Sequence, residues 1–190
     1  VDCSPSATDS IPGVLRALGE RARSTPPGQW IRATGFDELA VGERRFPSRR
    51  ELDQALPDHP VRLNHRSGHA CVLNSAALAA VGISIKTPDP ADGVIYRDLN
   101  TGEPSGVLME MDGYLEGRIP PLREDELRCG IRLADQRLVS LGITSLQDAG
   151  QSNSTQRWDA LKKAKVDGDL SPRITMMVGS RFLPEFMDRG

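Results

Sequence analysis

"ITSLQDAGQSNSTQRWDALKKAKVDGDLSPRITMMV", residues 143–178, is the stretch that decides the fold class. Two short runs, ITSLQ and RITMMV, carry the β-branched and apolar residues of strands. Between them, Thr155 to Val166 places Trp158 and Leu161 on one face of a helix. Strand, helix and strand joined by short links is the signature of a parallel pair. Just upstream, "PLREDELRCGIRLADQRLVSLG" repeats Leu127, Ile131, Ala134, Leu138 and Leu141 at alternating steps of four and three, which predicts a long helix stopped at Gly142. The fold class read here is α/β.

Working back toward the N-terminus, Val14, Leu15, Leu18 and Ala22 share a face of a short helix over residues 11–23. "TPPGQ" breaks it and "WIRATGF" reads as a strand. In "PSRRELDQALP", Ser48 and Glu51 have the spacing of a capping box, in which each side chain serves the other's backbone amide. "VRLNH" is a second strand. Asn74 is placed to cap the helix "SAALAAV", and Gly82 suits the left-handed position that ends it. "GVIYRD" and "SGVLMEM" flank a turn-rich "LNTGEP", the pattern of a β-hairpin.

Composition excludes several classes of function. The chain has 190 residues, net charge −2, 26% charged and 4% aromatic residues. Neither a basic stripe nor a base-stacking platform is present, so no nucleic-acid partner is expected. No run approaches the length of a membrane span, so no membrane partner is expected either. Cys3, Cys71 and Cys129 are odd in number and far apart. That is no disulfide framework, and it points to a reducing, cytoplasmic setting. No P-loop, GxSxG elbow or GxGxxG stretch occurs.

The chemistry must therefore come from scattered residues at the carboxyl ends of strands, where parallel α/β folds gather function. The only histidines are His59, His65 and His69. His65 and His69 are four apart in "HRSGHACVLNSAAL", yet Gly68 and the following cap argue against a helical zinc pair. A strand-to-helix junction beside a pocket is the expectation, with His69 either touching substrate or holding the loop. Adding Cys71 as a ligand gives the weakest option, a small zinc protein. Glu110 ends "SGVLME" among apolar neighbours; it either faces solvent or is buried against a cation. Asp148 either contacts substrate or caps the turn "QDAG".

The segments "GQWIRATGFDE", "PSRRELDQALPDHPVRLNHRSGHACVLNSAALAAVGI", "TPDPADGVIYRDLNTGEPSGVLME" and "LVSLGITSLQDAG" resemble, in order and spacing, the amidohydrolase family 3 group of metal-dependent hydrolases. The resemblance implies a (β/α)8 metallohydrolase barrel, of which this chain is an internal part with an inserted β-hairpin/α+β subdomain. Residues 1–121 would carry the flanking insertion and 122–190 the βα units, within one catalytic domain. It implies hydrolysis of a non-peptide C–N bond in a small amide or formamide, assisted by a divalent metal, zinc being favoured. It assigns His69 and Asn74 of the "GHxxxxN" segment and Asp148 to substrate binding, and Glu110 of "GxLxE" to the metal. The family's His-x-His pair occurs nowhere in the chain, and no histidine follows His69. Weak or no metal binding and no activity by the chain alone are therefore expected, together with self-association through uncovered apolar faces. The competing reading is a non-catalytic α/β ligand-binding module.

Overall fold

Capping chemistry sets where the helices begin in the computed structural model, which describes residues 1–189. Ser10 accepts from the Gly13 amide and opens α1 (Ile11–Arg23). Ser48 and Glu51 form both bonds of the expected capping box and open α2 (Arg49–Ala55). Asn74 caps α3 (Ser75–Ala80), and Gly82 follows it with φ +76°. These three helices lie where the sequence places them.

The chain divides into two compact units, Val1–Pro120 and the residues from Pro121 onward. In the first, β1 (Ile31–Phe36), β2 (Val61–His65), β3 (Ala70–Leu73), β4 (Val94–Arg97) and β5 (Pro104–Met109) form one mixed sheet in the order β1-β2-β3-β5-β4. β1 and β2 are parallel and joined through α2, and the other neighbours are antiparallel. The expected hairpin is β4–β5. The strand β3 corrects the sequence reading, which takes "HACVLN" as a junction running straight into a helix. All four residues of β3 are buried, so no in-out alternation marks it as a strand.

Both faces of that sheet are covered. Val72 joins Ile31, Phe36, Val61 and Leu63 in a core with Val14 and Leu18 of α1 and Leu52 of α2. Its neighbours Cys71 and Leu73 point the other way, into a second core with Leu78 of α3 and Leu108, Met111 and Leu115. Leu115 ends the short helix α4 (Asp112–Leu115).

The second unit contains α5 (Glu124–Ser140), β6 (Ser145–Asp148), α6 (Thr155–Val166), β7 (Arg173–Met176) and α7 (Leu183–Met187). β6 and β7 pair in parallel, in register from Ser145↔Arg173 to Asp148↔Met176. The opening stretch thus folds as read. The helix α5 forms at the expected place, but none of its residues is buried, Ile131 and Leu138 of its apolar stripe being half-buried and the others exposed. Asp169, which precedes β7, is buried and receives the guanidinium groups of Arg128 and Arg132 from α5. Those two cations hold its carboxyl below the ordinary aspartate value. The architecture is mixed α/β, and the strands of the described residues make these two sheets.

Candidate functional site

Strand direction brings five ionisable side chains to one edge of the larger sheet. Asp37 and Glu38 follow β1, His65 ends the parallel β2, His69 precedes the antiparallel β3, and Glu110 follows β5. The register fixes the placement: Phe36 lies opposite His65, and Ala70 opposite Met109. This is the carboxyl edge of β1, β2 and β5, where the sequence argument expects function. Asp37 and Glu38, which it does not single out, are there too. The signal that finds them is the parallel pairing of β1 with β2, which a strand followed by "DE" does not reveal alone.

Around His65 the charges are tightly matched. Its Nε2 faces Glu38 Oε2 at 2.7 Å; both atoms are shielded from water, off the line that a hydrogen bond requires. Its Nδ1 accepts from the Ser67 amide at 3.2 Å and lies 2.7 Å from the Ser67 hydroxyl. The ring packs on Phe46 with centroids 5.8 Å apart. Asp37 pairs with the Arg66 guanidinium at 3.0 Å. Ser67 also reaches the second histidine, its Oγ accepting from the His69 amide at 3.1 Å.

Asp37, Glu38 and His65 offer three ligand atoms within 4.8 Å of one another, the one such trio among the described residues. The donor types suit a divalent ion, but donors held at roughly 2.0–2.2 Å lie within about 4.4 Å of each other, so the trio would have to rearrange around an ion, Glu38 Oε2 and His65 Nε2 moving apart from their 2.7 Å contact. Binding through His65 Nε2 would require the ring proton on Nδ1, where the Ser67 hydroxyl could receive it but the bond Nδ1 accepts from the Ser67 amide would be lost. The Arg66 guanidinium already pairs with Asp37, which makes it a competitor of any cation for that carboxylate.

Glu110, the carboxylate assigned to a metal from sequence, belongs to a different pair. Its Oε1 lies 2.8 Å from His69 Nδ1, and its amide donates to the His69 carbonyl at 2.8 Å. Both side chains are exposed, at 65% for His69 and 59% for Glu110. Glu110 has φ +53°, a left-handed conformation that disfavours a side chain.

Asn74 is 1% exposed. Its Oδ1 accepts from the amides of Val61 and Ala77, and its Nδ2 donates to the His59 carbonyl. The amide group thus ties β2 to α3. Cys71 is buried, and burial pushes its thiol up to about 11, so it keeps its proton and is a poor ligand. In the second unit, Asp148 ends β6 with its Oδ1 accepting from the Gly150 amide at 2.9 Å. The Asn153 side chain first, then that amide, hold its carboxyl below the ordinary value. Asn153 is fully buried, and its Nδ2 donates to the carbonyls of Asp148 and Met177, clasping the ends of β6 and β7.

Residues 1–185 match the model of the amidohydrolase family. The N-substituted formamide deformylase of Arthrobacter pascens is 44% identical over 110 residues, which are 58% of this chain and 20% of that protein. The putative amidohydrolase YtcJ of Bacillus subtilis is 42% identical over 141 residues, 73% of this chain and 26% of that one. The chain therefore spans about a fifth to a quarter of the length of these relatives. An uncharacterized metal-dependent hydrolase from Pyrococcus horikoshii superposes over all of the chain and 35% of its own, with TM-score 0.65 and 22% identity, a likeness of fold.

Proposed function

Because the chain belongs to the amidohydrolase family, we propose that it supplies part of the active site of a metal-dependent hydrolase that cleaves the C–N bond of a small, non-peptide amide of the formamide type. The observation that carries this reading is the gathering of Asp37, Glu38, His65, His69 and Glu110 at one carboxyl edge. That edge combines donors for a cation with a histidine open to solvent. Asp37, Glu38 and His65 are the residues of this chain that would hold a divalent ion. A bound divalent ion lowers the pKa of water toward about 7 and polarises a carbonyl. His69 would meet the substrate. Asn74 would act through the fold, keeping β2 and the start of α3 in place beneath that edge.

The His-x-His pair expected from the family resemblance is absent, so we place the remaining metal donors outside these residues and expect the chain alone to turn over little or no amide. The test is a graft. The matching segment of the Arthrobacter deformylase is replaced by this chain's segment, and amine release from a simple N-alkylformamide is followed with zinc present. Activity within about tenfold of the parent supports the reading. A folded graft without amine release overturns it.

A further inference from the structure

Glu110 occupies a backbone position that a glycine would fill with less strain. Its φ is +53°, a conformation that costs a non-glycine residue about 1 kcal/mol or more. The surroundings impose that conformation. The backbone here runs against Gly93, where an added Cβ would come within 3.1 Å of the Glu110 carbonyl and 3.2 Å of the Met109 carbonyl. The amide of Glu110 is also pinned to the His69 carbonyl at 2.8 Å. An exposed ion pair contributes about 0–1 kcal/mol, which does not offset the strain with any margin. Stability alone therefore gives no reason for a glutamate here, and the geometry of its carboxylate does.

That carboxylate meets Nδ1 of His69 at 2.8 Å. A carboxylate oxygen can only accept, and at that distance it would repel a bare nitrogen lone pair, so the contact favours a proton on the ring nitrogen. With Nδ1 committed as a donor, Nε2 is the one ring atom left to meet a ligand. The ring is 65% exposed, so a ligand can reach it. The His69 amide is held by Ser67 and its carbonyl by Glu110, which fixes the backbone that carries the ring.

We propose that Glu110 is a positioning residue that keeps His69 in its Nδ1–H form, so that Nε2 is the atom that contacts the amide group of the substrate. The proposal rests on the reading of the chain as part of an amide hydrolase and names which atom of this edge meets that substrate. It moves Glu110 from metal ligand to partner of the histidine.

The experiment is nitrogen NMR on the chain labelled at histidine, with N-methylformamide as the probe. In the wild type, His69 is expected in the Nδ1–H form, and its Nε2 resonance is expected to move as the probe is added. Glu110→Gln keeps an acceptor oxygen and should preserve both results. Glu110→Ala should shift His69 toward the Nε2–H form and weaken the response to the probe roughly tenfold, the size of effect expected for one lost polar contact. Unchanged His59 and His65 resonances show that each variant is folded. A wild-type His69 already in the Nε2–H form, or one whose Nε2 ignores the probe, overturns the proposal. The graft separates the two ideas. An active graft with a silent His69 removes the dyad and leaves amide hydrolysis standing. An inactive graft with a responsive His69 does the reverse.

Discussion

At residue 51 a single carboxylate serves three different donors. Glu51 accepts from the Ser48 amide, the Ser48 hydroxyl and both terminal nitrogens of Arg45. The Arg45 guanidinium first, with help from Ser48, lowers its carboxyl from 4.5 to about 2. A depressed carboxyl stabilises the fold at pH values above its unfolded value, and that contribution disappears as pH falls through the folded one. The side chain is 29% exposed, so after solvent screening the linkage is worth about 1 kcal/mol. Glu51→Ala should therefore lose about 1–2 kcal/mol at pH 7, the cap included, in urea unfolding. The gap to wild type should narrow between pH 4.5 and pH 2; a gap constant across that range would refute the linkage. Glu51 was legible because Ser48 lies three residues before it and the interaction is local. Asp37 and Glu38 were not, because their significance depends on His65, brought beside them by strand pairing across the sequence between.

The same division between local and distant causes appears among the elements. Helices closed by their own neighbours, α1, α2 and α3, could be read directly, as could the β4–β5 hairpin around "LNTGEP" and the β6–α6–β7 unit. The strand β3 could not. Its residues are apolar on both sides because two cores meet there, so it lacks the alternation by which a half-exposed strand is recognised. Tight sheet-to-helix packing leaves a second trace in β5. Gly106 has φ +104°, and a Cβ there would come within 2.6 Å of the Leu73 carbonyl and 2.9 Å of the Arg49 Cβ. Gly106→Ala should destabilise the first unit by about 2–4 kcal/mol, because strain adds to a clash with rigid backbone. Gly19, inside α1 with open space around it, is the control. Gly19→Ala should raise stability by about 0.5–1 kcal/mol, the ordinary helix preference. If both changes moved the thermal midpoint in the same direction, the account of Gly106 would fail.

On the scale of the whole molecule the two units differ in what they bury. The first closes two cores around its sheet, whereas the second has a long helix with no buried residue. Leu133, Val139 and Leu141 are 61%, 54% and 56% exposed, and Met187 near the end of the described residues is 72% exposed. Leu141 belongs to the stripe that made α5 predictable, whereas Leu133 and Val139 lie off it, so apolar exposure extends around the helix. The pattern identified the helix correctly while saying nothing about which surface would cover it. Burial of one such side chain is worth about 1.5–3 kcal/mol, so several left in water are a strong drive toward association. We therefore expect the purified chain to self-associate at concentrations on the order of tens of micromolar, where exposed apolar surface commonly drives assembly. Sedimentation velocity should show the weight-average coefficient rising with concentration, and a dye that fluoresces on apolar surfaces should bind. Leu133→Glu combined with Val139→Glu should lower both signals while leaving the first unit folded. A chain that remains monomeric and dark to the dye would show that α5 is covered within a single molecule, and the exposure of its apolar stripe would then be wrong.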